Sequence, residues 1–444
     1  MPAQRLGPDE PGASPGASPG ASPGAEQVDA SSEQVAEHAA DPVAERLDAL
    51  VDGLLSAFPP GSTPPERFLG AQFDRGLAWV HFPEGRGGLG LPPSLHLRVV
   101  ARLGAAGAPT PAARNLIGYG MVAPTLLEHG TAEQLDRYLR PLFTGEEVWC
   151  QLFSEPGAGS DVASLATRAV RDGDEWVVSG QKVWTTAAHL ASFGLLLART
   201  DPDVPKHAGI TCFLVDMHAP GVEVRPLYQI TGEAEFNEVF FTEVRVPGSA
   251  RLGPAGGGWG VALTTLMHER VAIGAIGAIG GGVAGQRAGP LAEALALWRE
   301  RWAGDTSPRA MVLRDRLLQR WVAHEVLRLT NLRAAAQRSA VVPGPEGSVA
   351  KLGHAEETKR TAELCVDLMG AEGMLYPSDY PKVRPAGLLS SSTDARRVFL
   401  RSRASSIEGG TSEVMRNILA ERVLGLPAEP RSDRDLPWRD VPRS

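Results

Sequence analysis

The segment Trp149–Thr186, WCQLFSEPGAGSDVASLATRAVRDGDEWVVSGQKVWTT, decides the fold because it joins a sharply turning loop to a long β-patterned run. Its loop Ser154–Asp161 reads SEPGAGSD, and such glycine-rich turns leave backbone N–H groups uncovered for a phosphate or a polar ring edge. The run ends at Gln181–Thr186, where a tryptophan and two hydroxyls suit a flat, partly polar ligand. The residues alone leave two interpretations open: a flavin or nucleotide site, or a tight turn beside a core tryptophan.

Read as a pattern, the segment resembles the acyl-CoA dehydrogenase family, whose flavin loop is similar to SEPGAGSD and whose next long strand is similar to GQKxWxT. The resemblance implies FAD as cofactor. It also implies that Trp184 stacks against the flavin ring and that Thr186 lies near the ring's polar edge. Five further positions match flavin contacts of the family: Gln151, Phe153, Ser154, Gly159 and Ser160.

Composition describes an ordinary globular protein. The chain has 444 residues, of which 43% are hydrophobic and 22% charged, and this length predicts about three domain-sized units. The net charge of −8 argues against a nucleic-acid partner. No apolar run reaches the length of a membrane span and no signal-peptide pattern opens the chain, so we expect a cytoplasmic protein. Three widely spaced cysteines predict buried free thiols.

Hydrophobic periodicity predicts an α+β fold of three domains. An N-terminal helical domain is expected over residues 36–148, a β-barrel or sandwich over 149–253, and a C-terminal four-helix bundle over 254–425. The repeated PGAS of residues 1–35 predicts a disordered tail, and the Pro- and Arg-rich residues 426–444 predict a loose one. The C-terminal helices are expected at Trp259–Ile279, Leu291–Ala303, Ala310–Ala340, Ala350–Met369 and Ser412–Val423.

A second motif, Phe399–Glu413, reads FLRSRASSIEGGTSE. On one interpretation, the Ser, Gly and Thr residues of this motif simply start a helix, with Thr411 as its cap. Beside the first motif, however, it is similar to the family's EGTSE loop, which touches flavin and thioester. The resemblance implies that Thr411 and Glu413 reach the ribityl–pyrophosphate part of FAD. It also implies that the Gly409 N–H, together with a flavin hydroxyl, holds the thioester carbonyl.

The family's reaction needs a carboxylate that removes the α-proton of an acyl thioester while hydride leaves the β-carbon. Many members place it directly before the GTS of the last motif, where this chain has Gly409, with Glu408 one residue earlier. Glu269 lies in an apolar helical stripe. A carboxylate in such a position is unfavourable unless it is paired with a cation or has a catalytic role. A subset of the family has its base there, before an arginine that is Arg270 here. We therefore expect Glu269 to be the base, held in place by Arg270, with Glu408 as the alternative.

Two departures from the family concern contacts between subunits. The RxxFG motif is missing, with Arg314 or Arg316 as possible substitutes, and the glutamine of QxxGGxG is Asp367. The resemblance implies an acyl-CoA or other acyl-thioester substrate, an electron-transfer flavoprotein as electron acceptor, and a homo-oligomer. A hetero-oligomer with a silent subunit, or a flavin oxidase or monooxygenase of the same fold, stays open. The isolated histidines predict no metal site, and the acyl group cannot be read from the sequence.

Overall fold

The structure is a computed structural model that describes residues 42–279, 289–336, 347–376, 382–385, 394–430 and 433–442. Side chains of 270–279 and 334–336 lie outside this description. The expected tail of residues 1–35 lies outside it too. The chain divides into two compact units, Met1–Glu45 and Arg46–Ser444. Only the beginning of the first helix is described in the first unit, and the sheet and the candidate site belong to the second.

Helices form most of the described region before Trp149. Their bounds are α1 Pro42–Ala57, α2 Pro65–Asp74, α3 His96–Ala105, α4 Pro111–Ile117, α5 Ala123–His129 and α6 Ala132–Thr144. One π turn, Gly118–Val122, joins α4 to α5. A core of aromatic rings holds these helices together, with Trp79 stacked on Phe82 at 4.7 Å and on Tyr119 at 5.4 Å between ring centroids.

The middle region is one eight-stranded sheet among the described residues. Its strands are β1 Trp149–Leu152, β2 Arg168–Asp172, β3 Glu175–Thr186, β4 Phe193–Arg199, β5 Ile210–Asp216, β6 Val222–Leu227, β7 Phe236–Pro247 and β8 Arg251–Leu252. Their order is β6-β7-β3-β2-β4-β5-β8, and β1 pairs with β4 in parallel. The predicted hairpin joins β2 to β3 through Gly173, whose φ of +62° suits glycine in a tight turn.

Among the described residues, helices return after β8, four longer ones followed by two short ones. Their bounds are α7 Gly258–Ile279, α8 Pro290–Arg301, α9 Pro308–Ala336, α10 Gly347–Met369, α11 Ala395–Ser402 and α12 Ser412–Ile418. Residues 337–340, expected at the end of α9, lie outside the described residues. Leu297, Leu313, Leu364 and Cys365 form the buried core between α8, α9 and α10. The helical, β, helical-bundle order predicted from the sequence is confirmed.

Residues 433–442, for which composition predicts a loose segment, lie against the β sheet. Lys206 forms ion pairs with both Asp433, at 2.7 Å, and Asp161, at 2.8 Å. Trp438 packs under the guanidinium of Arg199 at 4.8 Å and donates from Nε1 to the Ser164 carbonyl at 3.3 Å. A cation–π contact and charge pairing, which local composition does not reveal, therefore fix this segment.

The three cysteines, Cys150, Cys212 and Cys365, are buried free thiols, as predicted. Burial raises the pKa of all three, that of Cys365 to about 12, so they stay protonated. None of the helices in the described part of the chain combines the length and apolarity that crossing a bilayer requires.

Candidate active site

A buried ion pair fastens the SEPGAGSD loop to strand β3. Lys182, with 0% of its side chain exposed, donates to Glu155 at 2.7 Å and to the Phe153 carbonyl at 3.0 Å. The Glu155 carboxylate also accepts from the backbone N–H groups of Ala166, at 2.6 Å, and Thr167, at 2.9 Å. Burial acts to raise the pKa of Glu155, but the Lys182 ammonium and these hydrogen bonds hold it below its ordinary value. The two pieces of the first motif are one rigid unit.

Trp184 turns out of the sheet at the end of this unit. Its backbone has a φ of +59°, a left-handed conformation rare for a bulky residue, and the register of β3 against β7 shifts at this point. The result is that 57% of the Trp184 side chain is exposed, with its ring edge against Phe236 at 5.8 Å. Asn237 supports the bulge by donating to the Thr185 carbonyl at 3.0 Å. The strained backbone thus exposes an aromatic ring face, which the predicted stacking against a flavin requires.

The remaining loop positions divide between packing and exposure. Gln151 and Ser154 are half-buried, and the Ser154 carbonyl accepts from the Val183 N–H at 2.9 Å. Gly159 and Ser160 are exposed, and a Cβ at Gly159 would meet no atom within 4 Å. Phe153 belongs to the buried core, so its ring is a packing group, and its carbonyl accepts the hydrogen bond from Lys182. An open loop beside an exposed ring fits a flavin nucleotide.

The last motif is held by a buried lysine that was not predicted from the sequence. Lys351 of α10 donates from Nζ to the carbonyls of Ser405, at 3.1 Å, and Gly410. The turn between them bends at Gly409, with a φ of +66°, and Gly410, with +91°, which favour glycine. Thr411 then caps α12 by accepting from the Val414 N–H at 3.2 Å, as predicted, and Glu413 is exposed in the first turn.

Glu408 is engaged by an arginine fork. Arg401 donates from both terminal nitrogens to the two Glu408 oxygens, each at 3.0 Å, and from Nε to Glu235 at 3.0 Å. Its guanidinium also lies over the Phe236 ring, 5.5 Å from the centroid. Phe236 in turn contacts Trp184, so the last motif and the exposed tryptophan are connected through two side chains. Both Glu408 oxygens therefore already accept charge-assisted hydrogen bonds from one guanidinium.

Glu269 is half-buried on α7 and shares its electrostatic surroundings with Glu408. Burial lowers the pKa of Lys351, and the carboxylates of Glu408 and Glu269 oppose that shift. Both predicted base candidates therefore lie near one ammonium group. One turn before Glu269, Thr265 contacts Thr125 of α5 at 3.1 Å. Arg270 is in α7, but its side chain lies outside the described residues.

Of the two departures from the family, Asp367 has a partner within the chain, since Arg316 forms an ion pair with it at 2.7 Å. Arg316 therefore pairs with the residue that replaces the glutamine of the family motif. The role of Arg314 stays a prediction.

Four charged residues of this site were not predicted from the sequence: Glu155, Lys182, Lys351 and Arg401. The signal available was weak. Lys182 lies in an otherwise β-patterned run, and Lys351 lies in a helix with many charged neighbours, so both are ordinarily read as surface residues.

Comparison with known proteins agrees with this arrangement of domains. Family models for the N-terminal, middle and C-terminal domains of acyl-CoA dehydrogenases match residues 26–146, 150–244 and 256–424. Acyl-CoA dehydrogenase IpdE1 of Mycobacterium tuberculosis is 38% identical over 80% of this chain and 86% of its own. This chain therefore belongs to the acyl-CoA dehydrogenase family.

Solved structures give the same result. The steroid ACAD Tcur3481-Tcur3483 is 27% identical, with a TM-score of 0.64, over 88% of this chain and 99% of that one. The ChsE4-ChsE5 complex from Mycobacterium tuberculosis is also 27% identical, with a TM-score of 0.62 and the same coverage. The fold and enzyme class predicted from the two motifs are confirmed.

Proposed function

We propose that this acyl-CoA dehydrogenase converts an acyl-CoA, or a related acyl thioester, to its 2-enoyl thioester with Glu269 as the base. The observation that carries the assignment is the Arg401 fork, which occupies both oxygens of Glu408. Glu269 is the other carboxylate matched to a base position of the family, and it is half-buried near Lys351. A proton from the substrate's α-carbon passes to a Glu269 oxygen.

The residues of the first motif fit FAD. Trp184 offers a ring face, Thr186 lies two residues further on, and the exposed Gly159 and Ser160 leave backbone groups open. Thr411 and Glu413 begin the helix that would meet the ribityl–pyrophosphate part. When bound, FAD supplies the hydride acceptor for the β-carbon. Glu269 holds the α-proton, and the Gly409 N–H donates to the thioester carbonyl as negative charge develops there.

Electrons would then pass to an electron-transfer flavoprotein.

Further subunits would cover the apolar face of α9. Eight large apolar side chains of this helix are more than half exposed: Met311, Val312, Leu318, Trp321, Val322, Val326, Leu329 and Leu332. A face of this kind marks an interface between subunits. A second copy is the simplest partner, while the similar structure solved as a ChsE4-ChsE5 complex supports an unlike one. A cytoplasmic location stays a prediction from the sequence.

The test is the visible spectrum of the purified protein before and after anaerobic addition of acyl-CoA thioesters. We expect a yellow wild type that bleaches and a yellow Glu269→Gln variant that does not. Glu408→Gln is the matched control and should still bleach. The base assignment fails if Glu269→Gln bleaches normally while Glu408→Gln does not. Rapid reoxidation of the reduced protein by oxygen would indicate an oxidase.

A silent subunit of a hetero-oligomer is a second candidate. The observation that favours it is the Arg316–Asp367 ion pair, which stands where a cross-subunit FAD contact is expected in the family. Such a subunit purified alone would be colourless. A yellow, reducible protein rejects this candidate.

A further inference from the structure

A ladder of charged side chains fastens α11 to the residues around the start of β7. Arg397 and Arg401 lie one turn apart on α11. Arg397 donates from Nε to both oxygens of Glu233, at 2.8 and 2.9 Å, and from Nη2 to Glu235 at 3.2 Å. Arg401 donates to Glu235 as well, at 3.0 Å. Because buried charges persist only when they are paired, this ladder holds α11, which leads into the last motif, close to Phe236, the first residue of β7.

Arg401 divides its guanidinium among three partners. Its two terminal nitrogens reach the two oxygens of Glu408, each at 3.0 Å, while its Nε reaches Glu235. The same group lies over the ring of Phe236, 5.5 Å from the centroid. A planar guanidinium can form a fork and lie over a ring at once, whereas an ammonium group on the same helix could not. The shape of this side chain, as well as its charge, therefore relates Glu408 to Phe236.

The first of these contacts acts on the peptide group between Glu408 and Gly409. Gly409 and Gly410 have φ values of +66° and +91°, and glycine restrains its own backbone less than any other residue does. The Gly409 N–H, which is expected to hold the thioester carbonyl, has no hydrogen-bond acceptor among the residues that the structure describes. Two charge-assisted hydrogen bonds that fix the Glu408 side chain therefore limit the directions in which this N–H can point.

The second contact acts on Trp184. Phe236 faces Thr186 in the register of β7 against β3. Its ring is nearly perpendicular to that of Trp184, at 85°, with the centroids 5.8 Å apart. Since more than half of the Trp184 side chain is exposed, the position of Phe236 is an important restraint on the orientation of the tryptophan ring. A shift of Phe236 would let that ring move to another rotamer.

We propose that Arg401 is a positioning residue that keeps the Gly409 N–H and the Trp184 ring in a fixed relation to each other. A thioester held by the first is then aligned with a flavin ring stacked on the second. The inference rests on the proposed function and adds a residue to that site. Arg401 itself contacts neither substrate nor FAD in this arrangement and acts through Glu408 and Phe236. Alignment matters because a misplacement of about 1 Å can lower the rate by about 100-fold.

The test begins with steady-state kinetics of Arg401→Lys on the acyl-CoA that reduces wild type fastest. Lysine keeps the positive charge but cannot form the fork. We expect kcat to fall about tenfold or more, with a smaller change in KM, because alignment is lost while the binding groups remain. Arg396→Lys is the matched control. Arg396 lies on the same helix, is exposed to a similar extent, and forms a fork with Asp394 at 3.0 and 2.7 Å, so its replacement should leave kcat unchanged.

Two spectra separate positioning from general stability. Infrared absorption of the bound 2-enoyl-CoA product, labelled with carbon-13 at the thioester carbonyl, reports the hydrogen bond from the Gly409 N–H. Visible circular dichroism of bound FAD reports the surroundings of its ring. Arg401→Lys should raise the carbonyl frequency and change the dichroism. Glu408→Gln should change the carbonyl band alone, Phe236→Leu the dichroism alone, and Arg396→Lys neither.

Each result decides the question. If Arg401→Lys keeps the kcat of wild type, or loses activity with both spectra unchanged, Arg401 does not position these groups and the inference is overturned, while the dehydrogenase assignment stands. If no acyl-CoA reduces wild type, the proposed function fails and the inference with it. Should Arg401→Lys lose FAD or fail to fold, the single-contact variants decide. An unchanged carbonyl band in Glu408→Gln, or unchanged dichroism in Phe236→Leu, then overturns the inference.

Discussion

A buried lysine holds each of the two glycine-rich motifs, but the two lysines differ in how their charge is balanced. In each, a buried lysine donates to backbone carbonyls: Lys182 to Phe153, and Lys351 to Ser405 and Gly410. Lys182 also has a carboxylate, Glu155, in direct contact at 2.7 Å. The described contacts of Lys351 are to carbonyl oxygens, and carboxylates act on it from further away.

Because of this difference, Lys182 acts as a structural clamp, whereas Lys351 belongs to a charged site. The charge of Lys182 is neutralised where it lies, so it fixes the first motif and contributes little field elsewhere. The charge of Lys351 is balanced by several carboxylates, among them Glu269 and Glu408, which also serve other contacts. We infer that Lys351 both shapes the last motif and supplies positive charge to the proposed reaction centre.

The largest effect is expected from Lys182→Met. Removing the ammonium leaves the Glu155 carboxylate buried and unpaired, which should lower the free energy of unfolding by about 3–5 kcal/mol. Urea unfolding monitored by tryptophan fluorescence measures the loss. The double variant Lys182→Met with Glu155→Gln should recover part of the stability, because no uncompensated charge remains. A single variant within about 1 kcal/mol of wild type would show that this pair is not a clamp.

A smaller loss of stability, but a larger loss of activity, is expected from Lys351→Met. Unpaired carbonyls at Ser405 and Gly410 should cost about 1–3 kcal/mol. The displaced Gly409 N–H and the missing charge should lower kcat by about tenfold or more. Steady-state kinetics on flavin-loaded protein provides the measurement. Lys359→Met, on the same helix and paired to Glu356 at 3.2 Å, is the control, and an equal drop in its kcat would contradict a specific role.

The smallest effect concerns pH. The pKa of Glu155 is held below its ordinary value in the folded protein. The ionised carboxylate therefore contributes stability above its unfolded pKa, and this stability disappears as pH falls through the lower folded pKa. We expect the stability difference between wild type and the Lys182→Met, Glu155→Gln double variant to narrow below about pH 4.5. Thermal unfolding across acidic buffers tests this, and a difference independent of pH would reject it.

Most of the structural features predicted from the sequence follow from local residue patterns. Apolar spacing predicted α7 and α10 because each buries one face, and Gly173 predicted the β2–β3 hairpin because it supplies a positive φ. The cap at Thr411 follows from its own side chain. Lys182 and Lys351 were missed because their burial depends on carbonyls and carboxylates that only the tertiary fold brings near. Trp184 was predicted as a ring face, but its strained backbone cannot be read from residue types.

The segment of residues 433–442 also bears on the order in which the molecule is completed during synthesis. Its Trp438 contacts the carbonyl of Ser164, 274 positions earlier in the chain. Its Asp433 shares Lys206 with Asp161, the last residue of SEPGAGSD. When the ribosome has synthesised the whole sheet, it has not yet synthesised the bundle or this segment. The turn after the SEPGAGSD loop therefore gains its last contacts only once translation has passed Trp438, so this part of the sheet is completed late in the life of the nascent chain.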